Sequence, residues 1–259
     1  MSKTLYLECY SGISGDMAVA SLLDLEANQK GLLDALSTIP VDGFRIEISR
    51  VVKSGLDCCD FNVILEHDNH DHDMSYLHGK EHIPEHHHSH RGFYEIKEII
   101  EKTQITESAK KTAIRIFEIL AKAESEAHGV PFEEVHFHEV GAVDSIVDII
   151  AFAYCLDNLG IKEVIVPYLC EGTGSVRCQH GILPVPVPAV VNIAREHKIK
   201  LKITDIEGEL VTPTGIAIVG ATRTSAALPE LFTIEKTGLG AGKREYKSSG
   251  ILRAMIINT

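Results

Sequence analysis

The spacing of apolar positions changes period several times along the chain, and each change marks an element. Residues 4–9 (TLYLEC) carry the short apolar run of a strand; "YSGISGDM" then turns into an apolar-rich helix over about 14–26, with Ser14 as its N-cap. A second helix is expected near 29–38. The runs FRIEISRVV and LDCCDFNVIL are strand-like and are separated by Lys53, Ser54 and Gly55, the pattern of a hairpin. Helical spacing returns at 93–102 and at 106–127, where Ala109, Ala113, Ile116, Phe117 and Leu120 form one stripe that Gly129 and Pro131 end. A helix over about 142–159 is apolar nearly all round. Then come strand-like KEVIVPYL, the loop CEGTGSVRCQHG, and LPVPVPAVV, whose prolines stiffen an approach to a helix near 188–197. Strand KLKITDI, a turn with a short helix at GELVTPTG, and two terminal strands (LFTIEKTGLGAG and GILRAMIIN) complete the chain. Strands and helices mix without a regular βαβ rhythm, so the expected class is α/β (or α+β), with one mixed β-sheet, packed helices and no internal repeat.

One stretch breaks the pattern. Between His67 and His90 lie nine of the 14 histidines, interspersed with Asp68, Asp71, Asp73, Glu81 and Glu85, and the apolar period vanishes. This reads as a low-complexity, mobile, His-rich loop inserted in a single region spanning 1–259.

Composition narrows the function. Hydrophobic residues make up 44% of 259, enough for a sizeable core. With 25 Lys and Arg against 37 Asp and Glu, the net charge of -12 and the lack of a basic patch argue against nucleic acid or an anionic membrane as partner. Six cysteines without C-x-x-C pairs suit a reducing compartment. The N-terminus reaches Glu8 too soon for a signal peptide, and no apolar run is long enough to span a bilayer, so a cytoplasmic protein is expected.

Candidate chemistry concentrates in EVHFHEVGAVDSIVDI, residues 134–149. An extended HFHE places His136 and His138 on one face, with Glu139 beside them; in the helix that follows, Asp144 and Asp148 are four apart and share a face. Carboxylates on an apolar helix are costly unless paired or bound to a cation, and imidazole with carboxylate suits Ni, Zn or Co better than Ca or Mg. The alternative is that Asp144 complements the helix dipole while Asp148 caps a loop. His86, His87, His88 and His90 stand close enough in sequence to chelate such an ion without a fold, which favours delivery or storage of metal there. At the first turn, Ser11, Gly12, Ser14 and Gly15 are candidates to cradle a phosphate, with Asp16 as a metal-holding or dipole-complementing carboxylate. The turn lacks the lysine of an NTP-hydrolysing P-loop. Gly172, Gly174, Arg177 and His180 in one loop, and Thr212, Thr214 and Gly215 in another, read either as ligand-facing or as plain turn chemistry. Asp16, Asp144, Asp148 and His180 are the candidates for catalytic work.

In order along the chain, YSGISGDM, the His-rich insert, VHFHEVGAVDSIVDI, GTGSVRCQHGILPVPVPA, GELVTPTG and GLGAGK resemble the motifs of the LarC family of nickel-insertion proteins. The resemblance implies insertion of nickel into a pyridinium bis-thiocarboxylic acid mononucleotide, forming Ni–C and Ni–S bonds at the expense of CTP, with Mg or Mn, to complete the nickel-pincer nucleotide cofactor of lactate racemase. Under it, the His-rich loop gathers nickel, the HFHE/DSIVD cluster holds it or hands it on, and the cysteines are a further source of soft ligands. Family members continue beyond this chain's last residue, some as two pieces. The resemblance therefore implies an N-terminal portion, either cut from a longer protein or completed by a separately encoded C-terminal subunit, that serves the lactate racemase apoprotein; a homo-oligomer is expected. The competing expectations are a non-catalytic nickel chaperone or store, and a phosphate-ester hydrolase built on Asp16.

Overall fold

The computed structural model describes residues 3–65, 91–137, 143–178 and 181–258, with the backbone alone at His136. The chain runs β1 (Lys3–Glu8), α1 (Gly15–Asp24), α2 (Gln29–Leu36), β2 (Phe44–Lys53), β3 (Leu56–Leu65), β4 (Arg91–Gly92), α3 (Phe93–Lys102), α4 (Glu107–His128), β5 (His136–Phe137) and α5 (Val143–Asn158). The second half holds β6 (Ile161–Ile165), β7 (Leu169–Thr173), β8 (Ser175–Cys178), β9 (Gly181–Pro184), α6 (Pro188–Glu196), β10 (Leu201–Glu207), α7 (Pro213–Thr222), β11 (Thr233–Ala241) and β12 (Ile251–Asn258).

Local signals set most of these boundaries. Asn28 and Thr106 cap α2 and α4 by accepting the N–H groups of Gly31 and Ala109, and Gly129 ends α4 in the left-handed region that glycine tolerates. Ser54 and Gly55, both at positive φ, make the tight turn that pairs β2 with β3 from Lys53↔Leu56 to Phe44↔Leu65.

The architecture is α/β, built on a six-stranded mixed sheet in the order β2-β3-β11-β12-β1-β6. The final strand inserts between the first and the penultimate one, antiparallel to both, while β6 lies parallel to β1. The expectation of one sheet needs correction. KEVIVPYL divides at Val166-Pro167-Tyr168: β6 stays in the main sheet, and β7 leaves it to pair in parallel with β10. Proline supplies no N–H to a ladder, which explains the break at this point. Two further pairs, β4 with β5 and β8 with β9, stand apart from the main sheet.

The helices cover one face. Leu5, Leu7, Leu252, Ala254 and Ile256 point into the same core as Ala18, Leu22, Ile146, Ile150 and Phe152. Helix α1 sits close on β11, and the approach explains the glycine at 240, where a Cβ would stand 2.1 Å from the carbonyl oxygen of Met17. Helix α5 lies between α1 and α4 and is buried on most of its surface, as its apolar pattern predicts. The opposite face carries a smaller cluster of Tyr6, Ile165, Met255 and Ile257 with Leu228 and Phe232. Among the described residues no helix is long and apolar enough to cross a membrane.

Candidate functional site

The turn after β1 and the turn before α7 interlock. The Ile13 N–H donates to the Leu210 carbonyl (3.0 Å) and the Thr212 N–H to the Ile13 carbonyl (3.1 Å), a two-way bridge that brings the N-termini of α1 and α7 side by side. Gly12 is required there twice over: its φ is +84°, and a Cβ would lie 1.9 Å from the Leu210 oxygen. Thr212 caps α7 by accepting the Gly215 N–H at 3.1 Å, with Pro213 starting the helix. The Thr212 hydroxyl is thus committed to the fold.

Asp148 of α5 reaches this junction. A Cβ on Gly15 would stand 2.6 Å from Asp148 Oδ2 and 3.0 Å from Cγ2 of Thr214, so glycine at 15 is what admits the carboxylate between the two helix starts. Asp148 accepts the backbone N–H of Asp16, and Ser14, at the N-cap of α1 as expected but with no side-chain bond to the helix backbone, donates its hydroxyl to the Asp16 carboxylate. Burial pushes the Asp148 carboxyl well above the usual carboxylate range; the charges of Asp16 and Asp144 push the same way, and Lys243 opposes them. Lys243 is itself bonded to Asp60 at 2.5 Å. Three carboxylates and one shared lysine leave a locally negative turn, so a phosphate would need a cation between it and this turn.

A second buried acid holds the neighbouring loop. Glu171 on β7 has no exposed surface, and its Oε1 accepts the N–H groups of Gly172 (2.7 Å), Leu210 (2.8 Å) and Val211 (3.2 Å). Burial raises its carboxyl; those three donors and the nearby Arg244 offset part of that cost. Arg244 bonds Glu209 at 3.0 Å, and Tyr246 donates to the Glu209 carbonyl at 3.0 Å. The loop that carries Leu210 to Thr212 is therefore tied from beneath by Glu171 and from the side by Arg244.

The structure gathers Gly12, Ser14, Gly15, Asp16, Asp144, Asp148, Thr212, Thr214 and Gly215 into one region. Ser11 turns aside to hydrogen-bond Ser249 at 3.1 Å. Gly172 serves backbone packing, since a Cβ would meet the Gly208 oxygen at 1.9 Å. Gly174 follows β7 at positive φ, and Arg177 projects from the β8–β9 hairpin as an exposed side chain. His136 pairs through its backbone with Gly92, and Phe137 is buried against Phe117. His86, His87, His88, His90, His138, Glu139 and His180 lie outside the described residues. Five of the six cysteines are buried, and burial pushes the thiols of Cys9 and Cys155 up and that of Cys59 up to about 11, which disfavours the thiolate a metal takes; Cys178 is half-exposed. Sequence reasoning missed Lys243, Arg244 and Glu171. The first two follow the glycines of GLGAGKRE, and Glu171 is a lone acid inside an apolar strand, each a readable signal.

Among the described residues no three His, Cys, Asp or Glu side chains are placed to hold a metal ion between them. Asp16 and Asp148 alone do not make a metal site, and an ion there would need further donors from elsewhere.

Fold and site together define a mixed-sheet α/β protein in which carboxylates gather at a turn between two helix N-termini. The family model described as "Nickel insertion protein" matches residues 5–259, and the chain belongs to that family. A protein of Alkaliphilus metalliredigens named pyridinium-3,5-bisthiocarboxylic acid mononucleotide nickel insertion protein is 52% identical over 260 residues, covering 99% of this chain and 61% of its own length. Proteins of the same name from Acetivibrio thermocellus and Geobacillus kaustophilus are each 38% identical, over 257 residues (99% of this chain, 60% of theirs) and 255 residues (98% and 59%). The chain thus spans about three fifths of the length of these relatives. No solved structure matches it.

Proposed function

We propose that this chain carries the nickel-handling part of an enzyme that inserts nickel into pyridinium-3,5-bisthiocarboxylic acid mononucleotide, completing a nickel-pincer nucleotide cofactor such as that of lactate racemase. The observation that carries this reading is the meeting of Asp16 and Asp148 across Gly15, beside Asp144, in a chain whose relatives bear that name. Nickel is the substrate ion. Two carboxylates hold it loosely, as hard oxygen donors do with a borderline cation, and the two thiocarboxylates of the nucleotide offer the softer sulfur that draws it onward.

In this account the chain's own residues have three tasks. Asp148 holds its carboxylate between the helix starts through the Asp16 N–H, Ser14 orients Asp16, and Lys243 keeps the cluster from excessive self-repulsion before the ion arrives. A carboxylate vacated by nickel can also accept the proton that leaves the pyridinium carbon as the Ni–C bond forms. His136, His138 and Glu139 are the proposed further ligands, with His86, His87, His88 and His90 gathering the ion. CTP with Mg or Mn, a C-terminal partner, assembly into a homo-oligomer and a cytoplasmic setting belong to the same proposal.

The test is direct: incubate the chain with nickel, the thiocarboxylate mononucleotide, CTP and Mg, with the remaining segment of a full-length relative supplied, and follow the product by mass spectrometry. A nickel-bearing nucleotide is expected. Its absence under these conditions, with the substrate intact, rejects the proposal.

A further inference from the structure

Two tyrosines outside the carboxylate cluster form a stacked pair. The rings of Tyr10 and Tyr168 have centroids 5.7 Å apart and planes 16° from parallel, and Tyr10 keeps 51% of its surface exposed. Among the described residues they are the only aromatic rings stacked face to face. Their place is specific. Tyr10 follows the end of β1 and immediately precedes the Ser11–Asp16 turn, while Tyr168 follows β6, the parallel neighbour of β1. Both therefore stand beyond the carboxyl ends of a parallel strand pair, the position at which open α/β sheets take their ligands.

The pair also has close neighbours. Tyr10 lies near the buried Tyr6 as well as against Tyr168, and Glu8, paired with Arg253, is close by. The contact with Tyr10 and burial raise the Tyr168 phenol to about 12, so that ring stays neutral beneath its partner. A ring already stacked on one face loses less conformational entropy when a second flat ring settles on the other.

We propose that the open face of Tyr10 is the seat of the pyridinium ring of the mononucleotide. This deepens the function proposed above and rests on it for the identity of the substrate. A pyridinium is flat and positively charged, and both properties favour the face of a tyrosine: the first by stacking, the second by cation–π attraction. An uncharged ring of the same shape keeps only the first. Tyr10 is thus a binding residue that selects the oxidised, cationic ring.

The experiment is equilibrium dialysis against nicotinic acid mononucleotide, a pyridinium mononucleotide with one carboxylate, and against its dihydropyridine form, which keeps the carboxylate and phosphate but has an uncharged ring. The wild-type chain is expected to bind the pyridinium form, Tyr10→Phe to stay within about twofold, and Tyr10→Leu to weaken by about tenfold. The dihydropyridine form should bind weakly to all three. The proposal is overturned if Tyr10→Leu binds like the wild type, if both ring forms bind equally, or if the wild type binds neither. Nickel insertion measured on the same wild-type preparation keeps the two readings separate: activity with Tyr10-independent binding rejects the platform alone, while lack of nickel insertion rejects the function whatever the dialysis gives.

Discussion

Asp148→Asn is expected to lower nickel insertion by at least about 100-fold in kcat/KM while leaving the chain folded. Asparagine keeps the volume that fits above Gly15 and keeps an oxygen to accept the Asp16 N–H. What it removes is the charge. That charge is costly in the turn, where burial and two like neighbours press the carboxyl toward its neutral form, so the variant should melt at or above the wild-type temperature. Activity and stability are thus expected to move in opposite directions, which a purely structural role for Asp148 does not predict. Turnover and a thermal melt on one preparation decide it. An asparagine variant that inserts nickel within about threefold of the wild type would remove Asp148 from the mechanism.

Glu171→Ala is expected to lower the melting temperature by about 8 °C, and Glu171→Gln by no more than about 2 °C, since each of three lost hydrogen bonds is worth ~1 kcal/mol. Alanine strands the N–H groups of Gly172, Leu210 and Val211 in the interior, whereas glutamine still offers them an oxygen. The pH dependence separates charge from hydrogen bonding. Burial raises the Glu171 carboxyl, so the folded chain keeps this proton to a higher pH than the unfolded chain does. Its stabilising effect is full below the unfolded value and is lost as pH rises through the folded one. Glutamine has no proton to lose and should flatten that part of the stability profile. Equal melting temperatures for the alanine and glutamine variants would show that the three bonds do not hold the loop.

Much of the secondary structure was legible because it is governed locally. The stripe on α4, the Lys53–Gly55 turn and the apolar girth of α5 each express one period or one turn preference. Strand order was not. The insertion of β12 between β1 and β11 joins segments more than 200 residues apart, and nothing in the local spacing of Ile251–Asn258 says which strands flank it. The division of KEVIVPYL was readable at Pro167, but an apolar run on both sides of the proline masked it. The site shows the same limit. Asp16 was read from its turn and Asp148 from its helix, yet their meeting depends on Gly15, whose lack of a side chain matters only once α5 is packed beside α1. Glu171 and Lys243 went unnoticed because their partners, Leu210, Val211, Asp60 and Asp148, are remote in sequence.

The central claim is that insertion belongs to the folded carboxylate turn and that the 67–90 segment only supplies its ion. Nickel-insertion rate against nickel concentration, for the full chain and for one lacking residues 67–90, tests this most directly. The account predicts that the shortened chain needs more nickel to reach half its maximum, about tenfold more if the segment works by raising the local nickel concentration, and then attains the same maximal rate. A shortened chain that stays inactive at every nickel concentration, while retaining the melting behaviour of the full one, would contradict it and make the histidine segment the functional site.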